Sequence, residues 1–382
     1  MADYEFWLTD DTGMRIADES GKSFLDNVLW LSAAKQVNAV SYFSMGLPSN
    51  FDMSLVIDKP DRMVQIWRAP TGRRLTLWGV YFIRRYLFQT TEQGLQFTIG
   101  GPNPNDLLRR RIVAAYTGSA QSDKTDYGDD MMKEVVTEAL ADGVNPTPDA
   151  GTRAWSNLSI QGEFSAGPTI TSSTAYKRLL LPSGGGAIGE LAKACREAGT
   201  EVFFDIVPNS ITPTSIDFEF RTWTGQPGQD VTAIGILFDS ARGNLRNPLL
   251  DVDYTEEINY VYGAGQDSDD SREIQQAYDA ERYNKSIWNR CEATADARDQ
   301  SAANGVREAA RALLEAGRPI YRFGATPIDT PQSVFGIDWD YGYKVRTKYL
   351  WFEFDAIIRS VVLGLDGEGN ETIQARLEYE GT

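Results

Sequence analysis

The run SGGGAIGE places Gly184, Gly186 and Gly189 at the G-x-G-x-x-G spacing of a dinucleotide-binding turn, and a helical pattern follows. That chemistry needs glycines so that backbone N–H groups can approach a pyrophosphate. Asp205 ends a strand-like run about 20 residues further on, where a ribose-binding acid would sit. The context opposes this reading. Pro182 and Ser183, not a buried parallel strand, lead into the glycines. The following VPNSITPTSIDFEF reads as an antiparallel pair, and no further βαβ units appear. The competing reading is a flexible loop into an amphipathic helix, and no cofactor is expected. QDSDDSRE sets Asp267, Asp269 and Ser271 at calcium-loop spacing. However, loop position six lacks Gly, and Tyr278 stands where a bidentate Glu belongs. A solvated acidic loop accounts for the run, and no metal is expected.

The sequence contains no histidine. That excludes Ser-His-Asp and Cys-His nucleophiles and every His-containing zinc site. Cys195 and Cys291 are too few for a Cys-only zinc site or a disulfide framework. They read as buried thiols of a protein assembled in a reducing cytoplasm. Carboxylates are plentiful, so a two-carboxylate glycosidase passes on inventory, but no pair stands out. The 9 Trp, 17 Tyr and 17 Phe could form sugar-binding platforms. Most fall in strand-like runs, as Trp67, Trp78, Phe82, Trp351 and Phe352 do, which reads as core or interface. No residue is assigned a catalytic, cofactor-binding or metal-binding role, and the chain is not expected to be an enzyme. The 37 Lys+Arg stand against 54 Asp+Glu, a net charge of −17. This opposes tight binding of phosphate backbones and permits a surface that DNA slides past. Plain solubility is the simpler explanation and is favoured.

The elements that position these residues are mainly strands. YEFWLT and MRIADE flank Asp10-Asp11-Thr12-Gly13, a hairpin signal. RMVQIWR, the turn Ala69-Pro70-Thr71-Gly72 and RLTLWGVYFIRRYLF follow. The last of these reads as one long strand apolar on both faces. After Thr91-Glu92-Gln93-Gly94, Leu95, Phe97 and Ile99 alternate with polar residues. Basic runs are short, Arg84-Arg85 and Arg109-Arg110-Arg111, and the second reads as closing this first barrel, residues 1–117. Helical spacing appears in Met131/Met132, Val135/Val136 and Ala139/Leu140, again from Ala187 to a stop at Gly199, and again over 301–316. NPTPDAGT reads as a loop, and a helix is expected somewhere in 267–300. VFFDIV and SIDFEFRTW read as strands, and Asp366–Asn370 turns a C-terminal hairpin. IDKPDRMVQIW and IDWDYGYKVRTKY echo one another. Each precedes a longer apolar strand containing Ile-Arg, which is either one barrel duplicated or chance. The N-terminus has no basic and apolar leader, and no apolar run approaches the ~18 residues of a membrane span, so a soluble product is expected.

Several segments, in order, resemble the tail-hub proteins of long-tailed phages, including contractile-tail baseplate hubs. They are VSYFSMGLP, IDKPDRMVQIWR with WGVYFIRR, GGPNPNDLLRRRIV, NYVYGAGQ, RCEATADARDQ, the helix ending LLEAG, GIDWDYGYKV and FDAIIRSVVLGLDG. Each is degenerate alone, and the specificity lies in their order. Gly143 to Thr200 is the least supported stretch. The resemblance implies an α+β, mainly β chain with two similar antiparallel, tail-tube-like β-barrels and an intervening α/β portion. It implies a first barrel over 1–117, a middle portion over 118–244 with 266–318, and a discontinuous second barrel over 245–265 with 319–382. It further implies a non-enzymatic homotrimer at the tail tip of the virion. Such a trimer joins the tail tube and distal tail protein above to fibre or spike below, with a tape measure protein as a further partner. DNA passes through its channel without specific binding, and the acidic balance suggests a lumen lined with Asp and Glu. A tail-tip receptor- or carbohydrate-binding protein is the alternative.

Overall fold

Alternation of apolar and polar residues builds most of this chain into antiparallel sheets. The computed structural model describes residues 2–17, 25, 27–91, 94–114, 121–141, 153–174, 177–182, 184–212, 214–266, 272–300, 302–328 and 330–379. It is mainly β with few helices. The largest sheet runs Leu245–Asp253, Ile320–Pro327, Glu371–Tyr379, Phe352–Leu365, Trp30–Gln36, Tyr42–Leu47, Gly94–Pro102, Arg85–Thr91. Lys344–Tyr349 branches from Phe352–Leu365 and pairs in turn with Leu237–Asp239. One hydrophobic core joins both ends of the chain. Leu31, Phe43, Met45 and Phe97 pack in the same cluster as Phe323, Phe354, Val361 and Leu377.

One local reading holds over a short span, and another is corrected. The Asp10–Gly13 turn closes a short hairpin: the Asp10 carboxylate accepts from Thr12 and Met14 N–H groups, Thr9 bridges Arg15 antiparallel, and the Ile16 N–H bonds the Leu8 carbonyl. Asp3–Thr9 also pairs along its length with Met63–Ala69, setting Phe6 opposite Ile66 and Leu8 opposite Val64. The partner that buries Phe6 and Leu8 is distant in sequence, and burial decides the register. The apolar run from Leu75 to Phe88 is two strands, Thr76–Phe82 and Arg85–Thr91, in different sheets. The chain switches at Ile83, whose N–H bonds the Arg62 carbonyl, and Arg84, whose N–H bonds that of Gly100. A strand that changes sheets is covered on opposite faces in its two halves, which explains apolar residues on both.

The middle portion packs around a second core, which it shares with Val40, Met63, Val80 and Phe82 of the N-terminal strands. Helices Gly128–Val136 and Ala187–Glu197 pack Met131, Val136, Ile188 and Cys195 against the Val202–Ile211 and Ile216–Thr224 pair. Leu158–Ile160 joins that pair in parallel. A further unit inserts between Leu245–Asp253 and Ile320–Pro327. Tyr260–Ala264 pairs with Ile274–Tyr278 and Glu292–Asp296, and helix Ala303–Ala316 covers one face of this sheet with Val306 and Ala310 buried. NYVYGAGQ therefore has its strand partners in the insert, not in the large sheet. The helix expected somewhere within 267–300 is a single short turn, Ala280–Tyr283.

Candidate assembly surface

The large sheet repeats one strand order. In the N-terminal group, Trp30–Gln36, Tyr42–Leu47, Arg85–Thr91 and Gly94–Pro102 occupy first, second, fourth and third place across the sheet. In the C-terminal group, Leu245–Asp253, Ile320–Pro327, Phe352–Leu365 and Glu371–Tyr379 occupy the same four places. The sequence echo falls on matching positions. IDKPDRMVQIW leads into Met63–Ala69, which pairs with Thr76–Phe82. IDWDYGYKVRTKY leads into Lys344–Tyr349, which pairs with the start of Phe352–Leu365. Both Ile-Arg pairs mark the place where the following strand bends. One is the break at Ile83-Arg84, and the other is the register shift between Ile358 and Ser360. Each arginine has an acid, Asp61 for Arg84 and Glu201 for Arg359.

The two groups meet antiparallel. Ser32 lies opposite Gly364 and Gln36 opposite Ser360. The free ends of the sheet are then Arg85–Thr91 and Leu245–Asp253, the topological counterparts of the two strands already joined at this junction. Both ends expose large apolar residues beside their charged ones, where edges are usually kept polar. Tyr86, Leu87 and Phe88 are 40–43% exposed on one, and Leu249 is 67% exposed on the other.

Behind the junction lies an ionisable cluster from three parts of the fold. The sequence pattern contained its signal, since Leu31, Ala33 and Lys35 share one side of their strand by alternation. The Lys35 ammonium lies 4.9 Å from the Trp78 ring and 5.7 Å from that of Tyr341. Asp205 comes from the middle portion and accepts a long 3.5 Å contact from the Tyr341 hydroxyl on Oδ2. Among the described residues its Oδ1 has no hydrogen-bond partner, and neither has the Trp78 indole N–H. Burial pushes the Asp205 carboxyl up to about 7 against the opposing pull of Lys35, and burial lowers Lys35. These groups line a cleft of about 340 Å³ between the Thr76–Phe82 and Val202–Ile211 strands. Asp340 also acts on Lys35, but Asp205 is the carboxylate that lines this cleft, and a glycosidase needs two facing one substrate. Other buried acids are engaged: Asp129 and Asp130 by Lys133 and by backbone N–H groups of 164–167, and Glu371 by Arg68.

The glycine run has a packing role. A β-carbon at Gly189 would overlap the Gly184 carbonyl oxygen. The N–H groups of Ala187 and Ile188, which a pyrophosphate would need, bond the carbonyls of Arg178 and Leu179. Asp205 faces Lys35, not this loop. The calcium-spaced Asp267, Asp269 and Ser271, and the NPTPDAGT loop, lie outside the described residues. Among the described residues no cluster of His, Cys, Asp and Glu suits a metal, and no helix is long and apolar enough to cross a membrane.

No family model matches this sequence, and no curated protein matches it. Solved structures do. The chain is similar to the 43 kDa tail protein of prophage MuSo2 from Shewanella oneidensis, with TM-score 0.55, 11% identity, and 98% of each chain covered. It is similar to a tail protein from Neisseria meningitidis MC58, with TM-score 0.55, 12% identity, and 99% and 97% covered. It also aligns with a chain of the Francisella PdpA–VgrG complex, with TM-score 0.53, 9% identity, 99% of this chain and 58% of that one. The chain thus has the fold of phage tail proteins along nearly its whole length.

Proposed function

We propose that three copies of this chain form the hub of a phage-type tail tip, a structural ring without catalysis. It joins the six-fold tail tube and distal tail protein to the fibre or spike below, and encloses part of the DNA ejection channel in the virion. The observation that supports this most is the repeated strand order. A sheet whose two halves repeat, and whose ends are counterparts of its own internal junction, is built for head-to-tail closure. Arg85–Thr91 of one copy then pairs antiparallel with Leu245–Asp253 of the next, as Phe352–Leu365 pairs with Trp30–Gln36 inside each chain. Three chains with two repeats each present six similar faces to the tube and three-fold symmetry below. Each repeat is one tube-like barrel, the N-terminal one completed by the sheet of Asp3–Thr9, Met63–Ala69 and Thr76–Phe82, the C-terminal one by the Lys344–Tyr349 branch. The first spans 1–117, and the second 245–259 with 319–382. Tyr260–Ala264 goes with the insert by its pairing.

The test is the mass of the purified protein, alone and with tail-tube protein, together with oxidative cross-linking of the double variant Leu87→Cys, Leu249→Cys. A species of three times 42.5 kDa that becomes covalently closed is the expected result. A chain that stays monomeric with tube protein, and never cross-links, would sink the reading.

A further inference from the structure

The sheet face turned away from the core is chemically unlike the rest of this acidic chain. One cross-strand row runs Arg85, Gly100, Ser44, Ser32, Gly364, Thr372. In another, Ser360 lies between Gln36 and Arg376. Gln96, Thr98 and Gln374 continue the same character. Among the described residues of the eight strands in this path beyond the Ile358–Ser360 bend, four arginines stand on this face, Arg85, Arg246, Arg322 and Arg376, against Asp251 and Asp253. Asp251 is already paired with Arg322 at 3.2 Å. Arg85, Arg246 and Arg376 hold no ion pair among the described residues. At one margin a cleft of about 540 Å³ sets Lys193 and Arg196 beside Arg376. The chain as a whole is −17, so a face with excess positive charge is a local reversal. The acidic balance of the sequence does not extend to it.

We propose that this face contacts the sugar–phosphate backbone of double-stranded DNA weakly and without reading sequence. Guanidinium, hydroxyl and amide groups are the donors that position phosphate oxygens. Its exposed large apolar and aromatic side chains, Trp30, Tyr42, Leu87, Leu249 and Ile320, lie on five different strands, so no single element of the face is shaped to enter a groove and read base edges. The inference deepens the hub reading, in which this face lines the passage and holds DNA loosely where a carboxylate lining would repel it.

The assay is fluorescence anisotropy of a labelled duplex of about 30 base pairs with the full chain in its assembled state, from about 50 to 200 mM salt. Binding is expected at the low end, falling steeply with salt. The triple variant Arg85→Gln, Arg246→Gln, Arg376→Gln should lose at least about tenfold in affinity, with a salt slope shallower by about 0.9 for each contact removed. Arg376→Gln alone should move both in the same direction. Arg298→Gln, at an exposed site in the insert paired only with Asp296, should change neither. No binding at about 50 mM salt, or equal binding by the triple variant, overturns the inference. A trimer that ignores DNA removes this inference alone. A monomer that binds DNA through these arginines removes the hub reading alone.

Discussion

The two strand groups of the large sheet share an order but differ in what interrupts it. Between its first and second strands the N-terminal group has a short turn, 37–41, whereas the C-terminal group has the entire insert, 254–319. At the bend, the N-terminal group breaks its strand at Ile83-Arg84, while the C-terminal group runs Phe352–Leu365 unbroken through a bulge. The face-to-core alternation is common to both; the connections are not. A repeat therefore keeps what its core requires and varies where solvent or a neighbour takes over.

The largest expected effect comes from separating the groups. Arg68 lies before the N-terminal group's bend, and its guanidinium bonds Glu371 at 2.7 and 2.8 Å and the Phe335 carbonyl. Arg68→Ala leaves the largely buried Glu371 carboxylate without its cation, the Tyr4 hydroxyl alone still donating to it among the described residues, and should cost about 3–5 kcal/mol in urea unfolding. The double variant Arg68→Met, Glu371→Met should recover most of that. A single variant as stable as the parent would mean the two groups cohere without this clamp.

The Lys35–Asp205–Tyr341 cluster ties the same two groups through the middle portion, and it gives a pH signature. The folded Asp205 carboxyl, at about 7, lies above its unfolded value near 3.9, so the folded state holds its proton longer. That contribution is complete below about pH 4 and is lost as pH rises through about 7, with a full span of about 4 kcal/mol. Asp205→Asn should flatten stability over this window and be no less stable at neutral pH. A parent whose stability rises from about pH 4 to 7 more steeply than the variant's would reverse the assignment.

Local patterns disclosed the repeat units well. Leu95, Phe97 and Ile99 alternate in sequence, and the latter two are buried. Met131, Met132, Val135 and Val136 mark a helix face. The residues of the junction also lay within reach, because Lys35 falls on the buried side of WLSAAKQ. Pairing over long separations was not legible. The DDTG turn signals the short hairpin that forms, but nothing local says that Asp3–Thr9 also pairs with a strand some sixty residues away. Nothing local in NYVYGAGQ distinguishes the insert's sheet from the large one. The chemical reversal of the exposed face was hidden for the same reason. Its arginines are scattered from Arg85 to Arg376, and only strand order brings them onto one surface.

The smallest expected effect probes how far the equivalence of the two groups extends. Gly46 and Gly324 lie in the second strand of their respective groups, both on the exposed face. Trp30 lies opposite Gly46, and a β-carbon there would overlap the indole nitrogen, whereas one at Gly324 meets nothing within 4 Å. Gly46→Ala should therefore destabilise by about 1 kcal/mol as the indole is displaced. Gly324→Ala should stabilise by about 0.5–1 kcal/mol, since a strand glycine loses more backbone freedom on folding than alanine. Thermal unfolding of the two variants separates the cases by sign. Opposite signs mean that the N-terminal group has turned its glycine into a seat for Trp30. Equal signs mean that the indole is not held there, and that the two second strands remain interchangeable in packing as well as in order.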